Sequence, residues 1–344
     1  MTISNLGSRY LIKTKRLLSP ALMAASLAFC AGAAAAEPVT VRFSGYLPVN
    51  HYISQAMEDF KQSVEAKSNG EIVVQTFPAA QLYKNTDQHT AVMNGQVELG
   101  VGVISEFADV LPSVGIVDLP FLVTTSEEMQ AALMGDLGQQ LSEQTRRVGL
   151  NIIGWADLGF LNALGNNKRP VHTPADVVGL KLRSFGVYPV YTAQHLGAAA
   201  LNLSSAETYV AIQRGVIDGG VSLATSFYSR NWYEVISDLT IVPLGYVAYA
   251  IYANDDWLQE LDPRHQEILR EAAAEMTAFT FDYTAEANAN AIAKMKEAGV
   301  DVYIVPEEDY PIWQTILEPV YDIFLEQTGK DGRALLDAAA QYRK

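Results

Sequence analysis

The sequence predicts an α/β protein of two lobes joined by one long helix. Strand order argues for a mostly parallel sheet in the first part of the chain, and the overall reading is of mixed sheets in each lobe. Three observations predict this fold. Apolar strands alternate with amphipathic helices in β-α-β order. The chain, about half apolar, is long enough to build two ordinary domains. One helical period also runs unbroken for roughly 35 residues, too long a rod for one compact domain and well suited to a strut across two.

The chain opens with an address segment. Arg9, Lys13, Lys15 and Arg16 precede an apolar stretch over 17–29, then an alanine run in which Ala34 and Ala36 occupy the small-residue positions of a cleavage site. This reads as a secretory signal peptide over 1–36, with the mature chain beginning near Glu37. A permanent anchor is the alternative; the short stretch and its small-residue end argue against it. Cys30, the single cysteine, falls inside the segment behind bulky Phe29, which argues against lipid attachment there. The mature chain then has no disulfide, thiolate nucleophile or cysteine metal site, which suits an oxidising compartment. Four of the 24 basic residues leave with the segment, so 20 Lys and Arg face 39 Asp and Glu, a formal charge of −19. Such a surface repels nucleic acid and anionic membranes and favours a monomer.

In the mature chain Val39, Val41 and Phe43 alternate as a half-buried strand, and Ile53, Met57, Phe60 and Val64 form the stripe of a helix ended by Gly70. Strands follow at 71–77 and 97–103, with a helix over 86–94 between them. Further strands are expected at 150–155, 180–185, 216–221, 239–244 and 246–253, and helices at 187–196 and 206–214. The long helix starts at Asp262, a cap, and Pro263, and carries Ile268, Ala272, Met276, Phe279, Tyr283, Ala287, Ala291 and Met295 to Gly299.

No catalytic motif emerges. His51, His89, His172, His195 and His265 are scattered without metal-ligand spacing, and no nucleophile elbow, phosphate loop or dinucleotide fingerprint occurs. Gly100-Val101-Gly102 lies within a strand and marks close backbone packing. No metal or cofactor is expected. In the stretch from Lys168 to Arg183, a Thr-Pro-x-Asp turn feeds a strand with Arg183 at its carboxyl end. Open α/β sheets bind ligands just beyond such ends, where a guanidinium fork suits a carboxylate. On spacing alone, Arg183 is equally readable as a surface arginine in an ordinary strand.

Pro174 to Arg183 matches P-x-D-x-x-G-x-K-x-R, and the pattern continues from Ala206 to Gly219 and from Phe227 to Val235. Upstream, Phe77-Pro78 with Gln81-Leu82, and Asp118-Leu119-Pro120-Phe121, fit the same series. In this order, over nearly the whole mature chain, the sequence resembles the substrate-binding proteins of tripartite ATP-independent periplasmic (TRAP) transporters. The resemblance implies a two-lobed periplasmic binding protein, a clam-shell with a buried ligand and a long helix spanning both lobes. Lobe I is expected over 37–160 and 249–289, lobe II over 161–248 and 290–344. It also implies a periplasmic location, a small organic acid gripped by Arg183, and delivery to membrane permease subunits.

Two departures from the family pattern bear on the ligand. No Lys or Arg occurs between Val148 and Asn167, where some relatives carry a second arginine, and Ser222 stands where an asparagine often contacts ligand. Both make the site less polar. Trp155, Phe160, Phe185 and Tyr188 flank the two pocket-forming strands and Tyr46 ends the first, so a monocarboxylate with an apolar or aromatic body is expected. The alternative is that these rings are core. His51 and Lys84 lie in loops after strands, and Asn85 and Ser205 align with pocket positions in some relatives. A periplasmic enzyme acting on small carboxylic acids would need a base near Arg183, which no local motif supplies. A ligand-sensing binding protein is the third reading.

Overall fold

The computed structural model describes residues 37–343; the expected signal peptide and Cys30 lie outside them. The described chain is a two-lobed α/β structure with two mixed sheets. In the first, β1 (Val39–Gly45), β2 (Ile72–Phe77), β3 (Leu99–Val103), β4 (Leu150–Phe160) and β10 (Tyr246–Asn254) stand in the order β2-β1-β3-β10-β4. β1 pairs parallel with β2 and β3, and β10 runs antiparallel to β3 and β4, so β4 points the same way as the first three. Every residue of β10 is buried, as its near-continuous apolar run requires of a strand between two neighbours.

The second sheet holds β5 (Ala163–Asn166), β6 (Lys181–Ser184), β7 (Ala199–Asn202), β8 (Gly219–Ser222), β9 (Asp238–Ile241) and β11 (Asp301–Ile304), in the order β11-β9-β5-β8-β6-β7. Here β5 alone runs against its neighbours β8 and β9.

Two crossovers connect the sheets. Residues 161–162 lead from β4 to β5, and residues 242–245 lead from β9 back to β10. They are fastened edge to edge: Val242 N–H donates to Asn162 O at 2.8 Å, Leu161 N–H to Gly245 O at 3.0 Å, and Leu244 N–H to Leu161 O at 3.2 Å. Gly245 has φ +147°, and a Cβ there would sit 2.8 Å from the Asp118 carbonyl oxygen, so only glycine fits. β4 leaves the first sheet at its carboxyl end. β5 begins opposite Ser222 and Ile241, the carboxyl ends of β8 and β9. The carboxyl edges of both sheets therefore meet at one joint.

The helices are α1 (Tyr52–Lys67), α2 (Asn85–Met93), α3 (Ser126–Met134), α4 (Asp136–Arg146), α5 (Tyr188–His195), α6 (Ser205–Gln213), α7 (Ala224–Ser229), α8 (Asp255–Glu260), α9 (Pro263–Glu297) and α10 (Tyr310–Ala340). α9 is the long rod. Asp262 caps it by accepting from Arg264 N–H at 2.8 Å, and Gly299 follows it at φ +94°. Ile268, Leu269, Ala272 and Met276 enter the core around the first sheet, and Met295 enters the core around the second, so the helix spans both.

Its buried stripe differs from the one read in the sequence. Phe279 and Tyr283 are exposed, and the inward face there is Thr277, Thr280, Phe281 and Thr284. The three hydroxyls bond the β4 backbone: Thr277 Oγ1 accepts from Trp155 N–H and Thr280 Oγ1 from Asp157 N–H, while Thr284 Oγ1 donates to Asp157 O. Hydrogen bonding rather than apolar burial chose this face. α10, interrupted at Gly329, packs against α4, α5 and residues 112–118. Among the described residues no helix is long and apolar enough to cross a membrane.

Candidate functional site

Arg183 occupies the third position of β6, and its side chain is only 4% exposed. Nε donates to Leu203 O at 3.0 Å, Nη1 to Val221 O at 3.4 Å and Nη2 to Ser205 Oγ at 3.2 Å. The guanidinium carbon lies 4.5 Å from the centre of the Phe185 ring and 5.6 Å from that of Trp232. No carboxylate pairs with it among the described residues. A guanidinium has five N–H donors, so these three contacts leave two unspent. Burial, reinforced by the nearby positive charge of Arg230, pushes its pKa down to about 10. Such a cation still carries its charge at neutral pH and lacks a counter-ion.

Of the other candidates, Phe185 and Ser205 touch the guanidinium. Ser222 is buried at the end of β8, next to the Val221 carbonyl that Arg183 bonds. Two members escaped sequence reading. Trp232 supplies the second ring, and Arg230, exposed at the end of α7, influences both Arg183 and His51. Both residues lie inside the motif from Phe227 to Val235.

The facing edge of the first sheet carries Tyr46, His51, Asn85 and Phe160. Gly102 lets the Tyr46 ring lie against β3, since a Cβ there would come within 2.9 Å of it. Tyr46 Oη accepts from Val103 N–H at 2.9 Å and donates to Glu106 Oε2 at 3.1 Å, and Asn85 Nδ2 donates to Glu106 Oε1 at 3.0 Å. His51 caps α1: its Nδ1 accepts from Ile53 N–H at 3.2 Å, and its ring stacks on Tyr52 at 4.5 Å. Burial and the charge of Arg230 push its pKa down to about 4, so it is neutral at pH 7. Phe160 stacks edge-on against Tyr246 at 4.9 Å. Lys84 is exposed at the N-cap of α2 and forms no ion pair among the described residues.

Two predicted rings stand elsewhere. Tyr188 is fully buried against Phe324, and its hydroxyl donates to Gln327 Oε1 of α10 at 2.9 Å. It belongs to the core that seats α10. Trp155 is buried beneath α9 and borders a cavity of about 350 Å³ shared with Met134, Gln139 and Thr277. That cavity lies on the face of β4 covered by α3, α4 and α9. Periodicity placed both rings near the right strands but could not assign their faces.

Sequence reading also missed three carboxyl groups. Burial pushes Glu106, Asp118 and Asp157 each up to about 7, and Glu106 further raises Asp118. None has a basic partner among the described residues. Nor do the described residues contain a cluster able to hold a metal ion.

Comparison with known proteins identifies the family and the fold. Residues 43–328 match the family described as bacterial extracellular solute-binding protein, family 7. The C4-dicarboxylate-binding periplasmic protein DctP of Rhodobacter capsulatus is 26% identical over 95% of this chain and 98% of its own. A TRAP periplasmic solute-binding protein from Ochrobactrum anthropi, solved with its C-terminus in the ligand pocket, superposes with a TM-score of 0.83 at 26% identity, covering 89% of this chain and 95% of that one. One from Roseobacter denitrificans with bound β-D-glucuronate gives 0.77 at 24% identity, over 87% and 98% of the two chains. The chain thus belongs to family 7 of the bacterial extracellular solute-binding proteins, the group that includes the periplasmic binding proteins of TRAP transporters.

Proposed function

We propose that this protein captures a small monocarboxylate with an apolar or aromatic body through Arg183 and delivers it to the membrane permease subunits of a TRAP transporter. One observation carries the reading: a nearly fully buried guanidinium, at the carboxyl edge of a sheet, with two N–H donors unspent and no counter-ion. A buried, unpaired charge is unfavourable by itself and calls for a bidentate anionic partner. The Phe185 and Trp232 rings wall the guanidinium, and Tyr46 and Tyr52 stand on the facing edge; these support a ligand body with an apolar face. The relatives' names supply organic acids of two kinds, a C4-dicarboxylate and a uronate.

The proposed mechanism is hinge closure. Lobe I (37–160 and 249–289) and lobe II (161–248 and 290–344) rotate about the paired crossovers, and a ligand touching both edges favours the closed state. The direct test is calorimetric titration of the chain from Glu37, unfolded and refolded to strip any bound ligand, with a panel of aromatic, aliphatic, keto and sugar acids. We expect one class to bind, to be recovered unchanged, and to lose at least 100-fold in affinity in Arg183→Met, with Arg183→Lys intermediate. Binding that Arg183→Met leaves intact would refute the anchor, and chemical conversion of the acid would refute the carrier.

A further inference from the structure

The long helix carries a face that folding does not explain. Phe279 and Tyr283 fit the apolar spacing of α9, yet they are 42% and 46% exposed, because Thr277, Thr280 and Thr284 take the inward positions. Contiguous large rings left in water mark a contact site. These rings are also held in place. Tyr283 stacks on Tyr52 of α1 with 4.4 Å between ring centres, Tyr52 stacks on His51 at 4.5 Å, and Phe279 lies 6.0 Å from Tyr283. The Tyr52 hydroxyl donates to Asp157 O at 2.6 Å, which fixes the middle of the row. Four rings thus run from the N-cap of α1 onto the solvent face of α9. They are ordered before any partner arrives, so little rotamer freedom is lost on contact.

The charges beside the row are of one sign. Phe279, Asp282, Tyr283 and Glu286 follow i, i+3, i+4, i+7 spacing and share one face of the helix. No Lys or Arg occurs between Arg270 and Lys294. Upstream, Glu271 and Glu275 are both paired with Lys67 of α1, at 2.7 and 2.9 Å. Downstream, Lys294 lies over the Tyr228 ring at 5.1 Å. Between them Asp282 and Glu286 are exposed and form no ion pair among the described residues. Rings flanked by unpaired carboxylates suit a guanidinium, whose plane lies on an aromatic face while its edge takes a carboxylate. The same charges repel an anionic membrane.

We propose that this face of α9 is a docking surface for an arginine-bearing segment of the membrane permease, with Phe279 and Tyr283 as platform and Asp282 and Glu286 as counter-charges. The inference rests on the delivery reading and deepens it by naming the surface that meets the partner. The contacts of Arg183 include none of these four residues, so docking and acid binding are separable by mutation.

The test compares the native mature chain with two double variants, Phe279→Ser with Tyr283→Ser, and Asp282→Asn with Glu286→Gln. The probe is the permease whose uptake of the acid found by calorimetry requires this chain, reconstituted in zwitterionic phosphatidylcholine vesicles. Binding to the vesicles is followed by co-sedimentation at low and high salt, and acid affinity by calorimetry in solution. Both variants are expected to bind the permease at least 10-fold more weakly and the acid within 2-fold of the native chain. The carboxylate variant should also weaken the salt dependence, since fewer charges then meet across the contact. Permease binding within 2-fold of native in either folded variant overturns the docking face, as does equal binding of the native chain to the same vesicles without permease. If the native chain binds the acid but not the permease vesicles, the delivery reading itself fails and the docking face falls with it. Circular dichroism identifies a variant that does not fold; the exposed carboxylate pair then decides alone.

Discussion

The two edges that face each other across the joint use burial in opposite ways. On the second sheet an arginine is buried and keeps its charge, because guanidinium is so basic that a pKa near 10 still leaves it ionised. On the first, two buried carboxyl groups, Asp118 and Asp157, and a half-buried one, Glu106, hold their protons up to about pH 7. One edge therefore stores an uncompensated cation, and the other stores neutral acids poised to accept or donate. The difference bears on the proposed anchor: burial leaves a group charged only where it cannot neutralise itself.

The largest expected effect separates binding from stability on the basic edge. Arg183→Met should abolish high-affinity acid binding, a loss of roughly 3–5 kcal/mol, while raising the stability of the ligand-free protein by about 1–3 kcal/mol. Urea unfolding of the refolded, ligand-free chain checks the second half. A variant less stable than the native protein would show that the contacts to Leu203 O and Val221 O outweigh the desolvation of the charge.

Next comes the acidic edge. Each of its carboxyls has a folded pKa above its unfolded one, so the unfolded chain releases protons near pH 4 and the folded chain only near pH 7. Their contribution is fully present below about pH 4, is lost as pH rises to about 7, and is level above that. The ligand-free protein should thus lose stability between those limits. Asp157→Asn should flatten the slope and stabilise the protein at pH 8 by roughly 2–4 kcal/mol. An unaltered slope would assign the titration to Glu106 and Asp118.

Smaller effects follow outward. Tyr46→Phe removes a hydroxyl that accepts from Val103 N–H and donates to Glu106, and should cost about 1–2 kcal/mol by thermal unfolding. Asn85→Ala, which removes an exposed bond to the same carboxyl, should cost about 0.5 kcal/mol or less. Equal costs for the two would mean that Glu106 relies on both donors alike.

The basic edge was far more legible in the sequence than the acidic one, and the reason is physical. Arg183 lies near the end of a strand announced by a turn motif, and Ser205 and Ser222 fall just outside the stretches that continue the motif, so order along the chain pointed to them. Glu106 and Asp118 influence each other across a turn, and Asp157 is buried only because β10 inserts from far along the chain between β3 and β4. A lone Asp or Glu is also expected in water, and nothing local announces its burial. The same contrast holds for the fold. β1 shows its alternation and α9 its caps, whereas β5 (Ala-Leu-Gly-Asn) and β7 (Ala-Ala-Leu-Asn) lack β-branched residues and are strands because neighbours pair with them. α10 was obscured by Pro319 and Gly329, which break the helical pattern it resumes.

The paired crossovers constrain what kind of machine this is. Two straps that run side by side and are stitched by backbone hydrogen bonds flex readily across their width but resist sliding past one another. A third element, α9, is pinned to β4 by its threonine hydroxyls. The closure proposed above would thereby be confined to one arc, like a book on its spine. Under that proposal every visiting molecule would meet the same groups in the same order, and selection among acids would lie in the chemistry of the two pages rather than in the freedom of the binding.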